Sequence, residues 1–440
     1  MFSDCRALLR ATMWPLLFAL SACSARGRSP DQVELRHTLP VVHVAATDAG
    51  AAGPPASARL VRPLAWGTFG EAERIADLQV APAGAGSLLA WVTYVDPPPP
   101  ASRTGERRER RTASVFVRPI DQEGEALATP KLISSKAVAT GGVSLSSDGR
   151  DHITLAWTGL EAGRAQVFLT QVGANGERQL QRMLTRGVSD CSDVAMTAAA
   201  GDGFLVAWVE QQGASAAIEV ARVAADLRRV GEVRKIAQTG GDASQLRLLA
   251  HGDDAWLVWT EVRTGSDQSG IFGLRLSARD GSARDDVTRL FALSHPESLR
   301  LVPSGDGWAL GWIEGAAASA EATKRVTNRH AALVGLGRAR TRDVARVEVP
   351  ADLTSLALDC EATCHVVAAG ARADNTLELY AWTHDLSANT WSPPESLGSV
   401  SGASPEDITP VLRGPWLFFA QDDLNGKGKI GKSRLFWPPK

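Results

Sequence analysis

A short apolar run ending in tryptophan recurs along this chain: Leu88-Leu89-Ala90-Trp91, Thr154-Leu155-Ala156-Trp157, Leu205-Val206-Ala207-Trp208, Trp256-Leu257-Val258-Trp259 and Trp308-Ala309-Leu310-Gly311-Trp312. After the first interval the tryptophans stand about fifty residues apart, a period that signals a solenoid or a propeller. Two degenerate copies follow, His365-Val366-Val367-Ala368 and Leu417-Phe418-Phe419-Ala420, with alanine in the tryptophan position. That makes seven copies. The longer first interval holds an insertion, Pro97 to Pro100 and then the arginine-rich stretch Arg103 to Arg111, which swells a loop without disturbing a core.

Each copy contains the same four short segments. In the third they are Val194-Ala195-Met196-Thr197, the tryptophan strand after a turn at Asp202-Gly203, Ile218-Glu219-Val220-Ala221-Arg222, and a last strand around Arg234 to Ala237. Short strands separated by Gly, Asp and Asn are the sequence form of antiparallel hairpins. Asp148, Asn175, Asp202, Asp280 and Asp306, each followed by glycine, are read as turn residues. Four strands per repeat and seven repeats predict an all-β fold, a seven-bladed β-propeller of four-stranded antiparallel blades over residues 58–440. A strand sandwiched between neighbouring blades is apolar on both faces, which explains why the tryptophan strands run almost unbroken in Leu, Val and Ala. The repeated tryptophans are therefore read as filling between blades before they are read as a binding platform.

Counting strands predicts how the ring closes. The last copy has strands near Asp407 to Leu412, Trp416 to Ala420 and Lys429 to Phe436, one short of four. The segment Arg59 to Trp66 precedes the first full copy and is predicted to supply the missing strand from the other end of the chain, covering a sheet edge.

Ahead of the repeats the pattern changes. Arg6 and Arg10 precede the apolar run Ala11 to Leu20 and then small residues, the order of a secretory signal. An apolar run of about ten residues is too short to span a bilayer as a helix. The tetrad Leu20-Ser21-Ala22-Cys23 resembles the lipobox of bacterial lipoproteins, and that resemblance implies cleavage before Cys23 and attachment of lipid to its thiol. Residues 1–22 are thus expected to be a lipoprotein signal peptide, and 23–57 a lipidated cysteine with a flexible linker rich in Ala, Gly and Pro. The resemblance places the protein in the cell envelope, lipid-anchored to a membrane. Ser24 after the cysteine points to the outer membrane by the family's sorting habit.

Composition agrees with a folded domain, at 44% hydrophobic and 22% charged residues, and the net charge of -2 argues against nucleic acid as a partner. Cys5 leaves with the signal and Cys23 is acylated, so Cys191, Cys360 and Cys364 remain. Outside a reducing cytoplasm, Cys360 and Cys364 are expected to close a disulfide across a hairpin turn, leaving Cys191 unpaired. With only His365 beside them, they offer too few ligands for a metal site.

Glu210, Glu261 and Glu314 each stand two positions after a repeat tryptophan, with Asp422 at the equivalent place in the seventh copy. Equivalent positions in a propeller form a ring on one face, so these carboxylates either line a site for a cation or basic group or each accept hydrogen bonds from the loop that follows. The stretch Asp423-Leu424-Asn425-Gly426-Lys427-Gly428 resembles dockerin-type and integrin-like calcium loops, but Lys427 stands where a ligand should and Gly431 where an acid should, so a tight turn is expected there. The insertion's arginines, interleaved with Glu106 and Glu109, are read as a solvated loop or as a contact for anionic lipid or an acidic partner.

No catalytic motif stands out. The histidines are scattered, with no His-x3-His or His-Glu pairing, and phosphate and dinucleotide loops are absent. Ser147-Asp148-Gly149 lacks the spacing of the boxes that sialidase-type propellers repeat. Taken together, the chain resembles bacterial lipoproteins carrying divergent β-propeller repeats. That resemblance implies a fold and a location. The leading expectation for function is a monomeric, membrane-tethered, non-enzymatic module that binds an envelope protein or a glycan on one face of the ring, with no cofactor or metal. The competing expectation is a propeller hydrolase or lyase acting on polysaccharide.

Overall fold

The computed structural model describes residues 59–66, 73–95, 112–134, 139–147, 152–212, 215–262, 269–293, 296–305, 307–314, 329–336, 344–347, 351–372, 376–400, 408–422 and 428–437. The signal segment, Cys23, the linker through residue 57, the arginine-rich insertion and the 423–427 part of the calcium-like turn lie outside these residues.

Every regular element among the described residues is a β-strand, as short apolar segments bounded by turn residues dictate. The first strand, β1 (Arg59–Trp66), belongs to the last blade. Blade 1 follows with β2 (Glu73–Ala83), β3 (Gly86–Val95), β4 (Thr112–Ile120) and the short β5 (Lys131–Leu132). Blade 2 holds β6 (Ala139–Ser147), β7 (His152–Glu161), β8 (Arg164–Gly173) and β9 (Arg178–Met183). Blade 3 holds β10 (Cys191–Ala198), β11 (Phe204–Gln212), β12 (Ser215–Val223) and β13 (Val230–Thr239). Blade 4 holds β14 (Asp242–His251), β15 (Asp254–Val262), β16 (Gly270–Ser277) and β17 (Thr288–Ala292). Blade 5 holds β18 (Glu297–Ser304), β19 (Gly307–Glu314), β20 (His330–Leu336) and β21 (Ala345–Val347).

Blade 6 runs β22 (Asp352–Cys360), β23 (Thr363–Ala371) and β24 (Leu377–Asp385), with its outer edge split into β25 (Thr390–Trp391) and β26 (Glu395–Val400). Blade 7 has β27 (Thr409–Arg413), β28 (Trp416–Asp422) and β29 (Gly428–Phe436), and β1 completes it. The closing strand lies antiparallel to β29, from Arg59 opposite Phe436 to Trp66 opposite Ile430, so the two ends of the ring share one sheet as the strand count predicts.

The packing explains the tryptophan period. Seven apolar clusters lie one between each successive pair of blades, the seventh joining blade 7 to blade 1 through Ile75, Leu78, Trp91, Phe418 and Ile430. Trp91, Trp157, Trp208, Trp259 and Trp312 are each at most 2% exposed, so they are core. Each ring removes roughly 200 Å² from water, worth on the order of 5 kcal/mol. Trp157 stacks on Phe168 at 4.6 Å and donates its indole N–H to Thr170 Oγ1 at 3.1 Å. Blade 6 lacks the tryptophan, and Tyr380 on β24 stands opposite Ala368 in its place. On β19 all eight residues are buried, the signature of a strand covered on both faces.

Candidate functional site in the central channel

The acidic positions singled out from the sequence do not gather at one point. Glu261 is buried and accepts the backbone N–H of Gly240, in the loop that enters blade 4, at 2.7 Å. Glu314 accepts from Trp312 Nε1 at 3.0 Å and pairs with Arg346 of its own blade. Glu210 lies beside Glu219 on the next strand, and burial, then the Glu210 charge, push the Glu219 carboxyl above its ordinary range. The backbone of Asp422 pairs with Gly428, while its side chain lies outside the described ones. Glu261 and Glu314 are thus engaged within their own blades or entering loops.

The cysteines are equally quiet. A disulfide joins Cys360 and Cys364, which stand opposite one another where β22 turns into β23. Cys191 is free and buried, and burial above all pushes its thiol up to about 11, which leaves little thiolate for chemistry. Among the described residues, no three His, Cys, Asp or Glu side chains gather to hold a metal ion.

The chemistry collects instead on the innermost strands. Apart from β6, whose Ala139 pairs with Ala113 of β4, each inner strand has one edge unpaired within its own sheet, and the inner amides need partners from elsewhere. They find them on the preceding blade. Asp77 Oδ2 accepts the Gly142 N–H at 3.1 Å, and Asp193 Oδ2 accepts the Leu246 N–H at 2.9 Å. Gln245 Oε1 accepts the Leu299 N–H, and Ser298 Oγ the Leu356 N–H, both at 2.8 Å. Further along the strands, Ser144 and Thr197 serve Met196 and Ala250 in the same way.

A backbone device aims these side chains. The pairing of inner with second strand shifts register at this level in blades 1 to 5. The residue at the shift adopts positive φ: Asp77 (49°), Gly142 (52°), Asp193 (42°), Gln245 (53°) and Ser298 (51°). A left-handed non-glycine residue costs on the order of 1–2 kcal/mol, so four of these five positions hold strain that the surrounding ring maintains.

Two residues beyond this bend, blades 4 and 5 each carry an arginine, Arg247 and Arg300, flanked by leucines. Arg247 donates from Nε to the Leu299 carbonyl at 2.9 Å and from Nη1 to Leu246 O at 2.8 Å. Arg300 donates from Nη1 to the same Leu299 carbonyl at 3.2 Å, which sets the two guanidiniums side by side. Among the described residues neither forms an ion pair with a carboxylate.

The electrostatics place all four charged groups around one space. Burial, and then the neighbouring Arg247 charge, push Arg300 down to about 9, with Asp77 opposing. Burial holds Asp193 above the ordinary carboxylate range, Asp77 adding to the shift, while Arg247 and the backbone donors Leu246 and Gln245 oppose it. Asp193, Arg247 and Arg300 lie on adjacent blades and meet through the contacts just described, and Asp77 on blade 1 adds its charge to Asp193 and Arg300. Arg300, like Arg247, is half-buried. Sequence reading centred on the tryptophan strand passed over this tier. Its signal is a polar residue before an apolar one in the first strand of blades 1, 3, 4 and 5, as in Gln245-Leu246-Arg247-Leu248 and Ser298-Leu299-Arg300-Leu301.

No family model and no curated protein matches this chain. Among solved structures it is similar to an ulvan lyase of polysaccharide lyase family PL25, at 9% identity and TM-score 0.54, over 83% of this chain and 95% of that one. The same enzyme bound to -[GlcA(1-4)Rha3S]- matches at 8% identity and TM-score 0.53 with the same coverage. A thermostable family-43 glycoside hydrolase matches at 10% identity and TM-score 0.38, over 61% of this chain and 92% of that one. At such identities the likeness bears on the fold, a β-propeller.

Proposed function

We propose that this protein is a carbohydrate-active propeller that takes a polysaccharide at the mouth of its central channel. The observation that carries the reading is the charged tier of Asp77, Asp193, Arg247 and Arg300. In it, charged side chains from four blades of the described structure act on one another, with Arg247 and Arg300 meeting at the Leu299 carbonyl. Arg247 and Arg300 are half-buried neighbours that form no ion pair among the described residues and keep donors to offer a ligand. Support also comes from the ulvan lyase, a propeller of comparable span seen with an oligosaccharide bound.

Cleavage is the reading that this fold likeness favours, and because the ulvan lyase is a propeller of comparable span, elimination is the first reaction to test. Glycoside hydrolysis uses two carboxyl groups about 5–10 Å apart that are free to move protons, whereas Asp77 and Asp193 already accept backbone amides. A second reading, binding without cleavage, is favoured by the engagement of Glu261 and Glu314 in local contacts.

The test is to incubate the full-length protein with a panel of neutral and acidic polysaccharides. Binding is followed by co-sedimentation, new reducing ends colorimetrically, and unsaturated products by ultraviolet absorbance. Binding with unsaturated products is the expected result. Binding with no new ends selects the second reading, and a protein that neither binds nor cleaves any of the panel refutes the proposal.

A further inference from the structure

We infer that Arg247 and Arg300 form an anion-recognition subsite, so that the polysaccharide this propeller takes is acidic, bearing carboxylate or sulfate ester groups. The inference rests on the polysaccharide reading above and names the substrate class of the same channel. Both guanidiniums converge on the Leu299 carbonyl, and each keeps donors beyond those bonds. Two adjacent forks of this kind match the geometry of a planar carboxylate or a sulfate oxygen pair.

The acids of the tier do not neutralise the arginines at contact distance. Asp77 and Asp193 point an oxygen at backbone amides of the next blade, and neither reaches ion-pair distance of Arg247 or Arg300. Two like charges thus stand together, half-buried, an arrangement that a bound anion relieves. The leucines on either side, Leu246 and Leu299 both fully buried, fix the strand so that the arginines are presented without rearrangement.

The uronate and sulfate sources of the anion are separated by the probes. Calorimetric titrations of the full-length protein use a size-matched set: oligogalacturonate, with carboxylates only, sulfated dextran oligomer, with sulfates only, and plain dextran oligomer. The protein is expected to bind at least one anionic probe roughly tenfold or more tightly than the neutral one, with the preference weakening as salt is raised. Arg300→Met, which keeps an unbranched stem, is expected to lose that preference about tenfold or more. Arg300→Lys should retain part of it, since the charge remains but the fork is gone.

Thermal unfolding of each variant reports whether the ring is intact. If Arg300→Met unfolds, the lysine variant together with competition by inorganic sulfate on the wild-type protein decides the matter. Equal affinity of intact wild-type and Arg300→Met for the anionic probes overturns the inference. Binding of the neutral oligomer alone also overturns it while leaving the polysaccharide reading in place; binding of no oligomer removes both.

Discussion

Lys432 offers a sharp test of how the ring is locked. It sits on β29 in blade 7, its side chain fully buried, and reaches across the seam to the β4–β5 turn of blade 1. There its ammonium donates to Gly124 O at 2.6 Å and Glu123 O at 3.3 Å, and pairs with Glu125 at 2.7 Å. The Trp416 ring lies 5.1 Å from the ammonium, and its indole N–H donates to Gln122 O at 2.9 Å. Gly124 has φ of 71°, and an added Cβ would meet the Trp416 ring at 3.1 Å, so the turn is shaped to fit this contact.

Lys432→Met removes the charge and keeps most of the volume. The buried Gly124 carbonyl is left unpaired, at a cost of about 1–3 kcal/mol, and the cation–π contact goes with it, worth roughly 1 kcal/mol. Glu123 and Glu125 are exposed enough for water to take over, so their share is small. Against this, methionine avoids the desolvation of an ammonium, which returns part of the loss. The net expectation is destabilisation by about 2 kcal/mol, read from the urea midpoint of tryptophan fluorescence at unchanged slope. A midpoint within about 0.5 kcal/mol of wild type would refute the reasoning and assign the seam to its apolar layer alone.

Deleting residues 59–66 strips β1 from β29 and leaves a long unpaired edge on blade 7, so the truncated protein should unfold at lower temperature and associate with rising concentration; a full-length melting profile would contradict the closure. His384 gives a pH signature. It is 1% exposed, and burial lowers its proton affinity against the opposing pull of Asn389 and Asp385. Because the folded state resists the proton that the unfolded chain takes up below about pH 6.5, the stability is present above that pH and is lost as pH falls, by up to about 1.4 kcal/mol per unit. Urea midpoints between pH 7.5 and 5 should therefore fall less in His384→Phe than in wild type, and parallel slopes would show that His384 is not the sensor.

The parts of this fold that were legible in the sequence are those fixed by burial on both faces of a strand. The interblade layer demands an apolar run in every repeat, so Trp91, Trp157, Trp208, Trp259 and Trp312 mark the blades even though the rest of each repeat drifts. Strand counting exposed the closure for a similar reason: a propeller tolerates no unpaired blade, and Arg59 to Trp66 had nowhere else to go. The glutamates were visible as equivalent positions, but their partners Gly240 and Arg346 come from another strand or a loop and leave no periodic trace.

The channel tier escaped notice for a different physical reason. In isolation, Leu246-Arg247-Leu248 reads as an ordinary half-buried strand with its polar residue turned to water. Ring closure makes that water a narrow channel shared by residues as distant in sequence as Asp77 and Arg300, and the bend at Gln245 and Ser298 turns the strand at that level. A propeller thus hides its site in sequence because the inner strands repeat a structural duty, capping the next blade's amides, while only particular copies add charge to it. The informative positions are the copies that depart from the shared pattern: arginine in blades 4 and 5 where blade 2 has Ser144 and blade 3 has Ala195. Two half-buried guanidiniums where serine or alanine stands elsewhere are the departure on which the anion-recognition proposal rests.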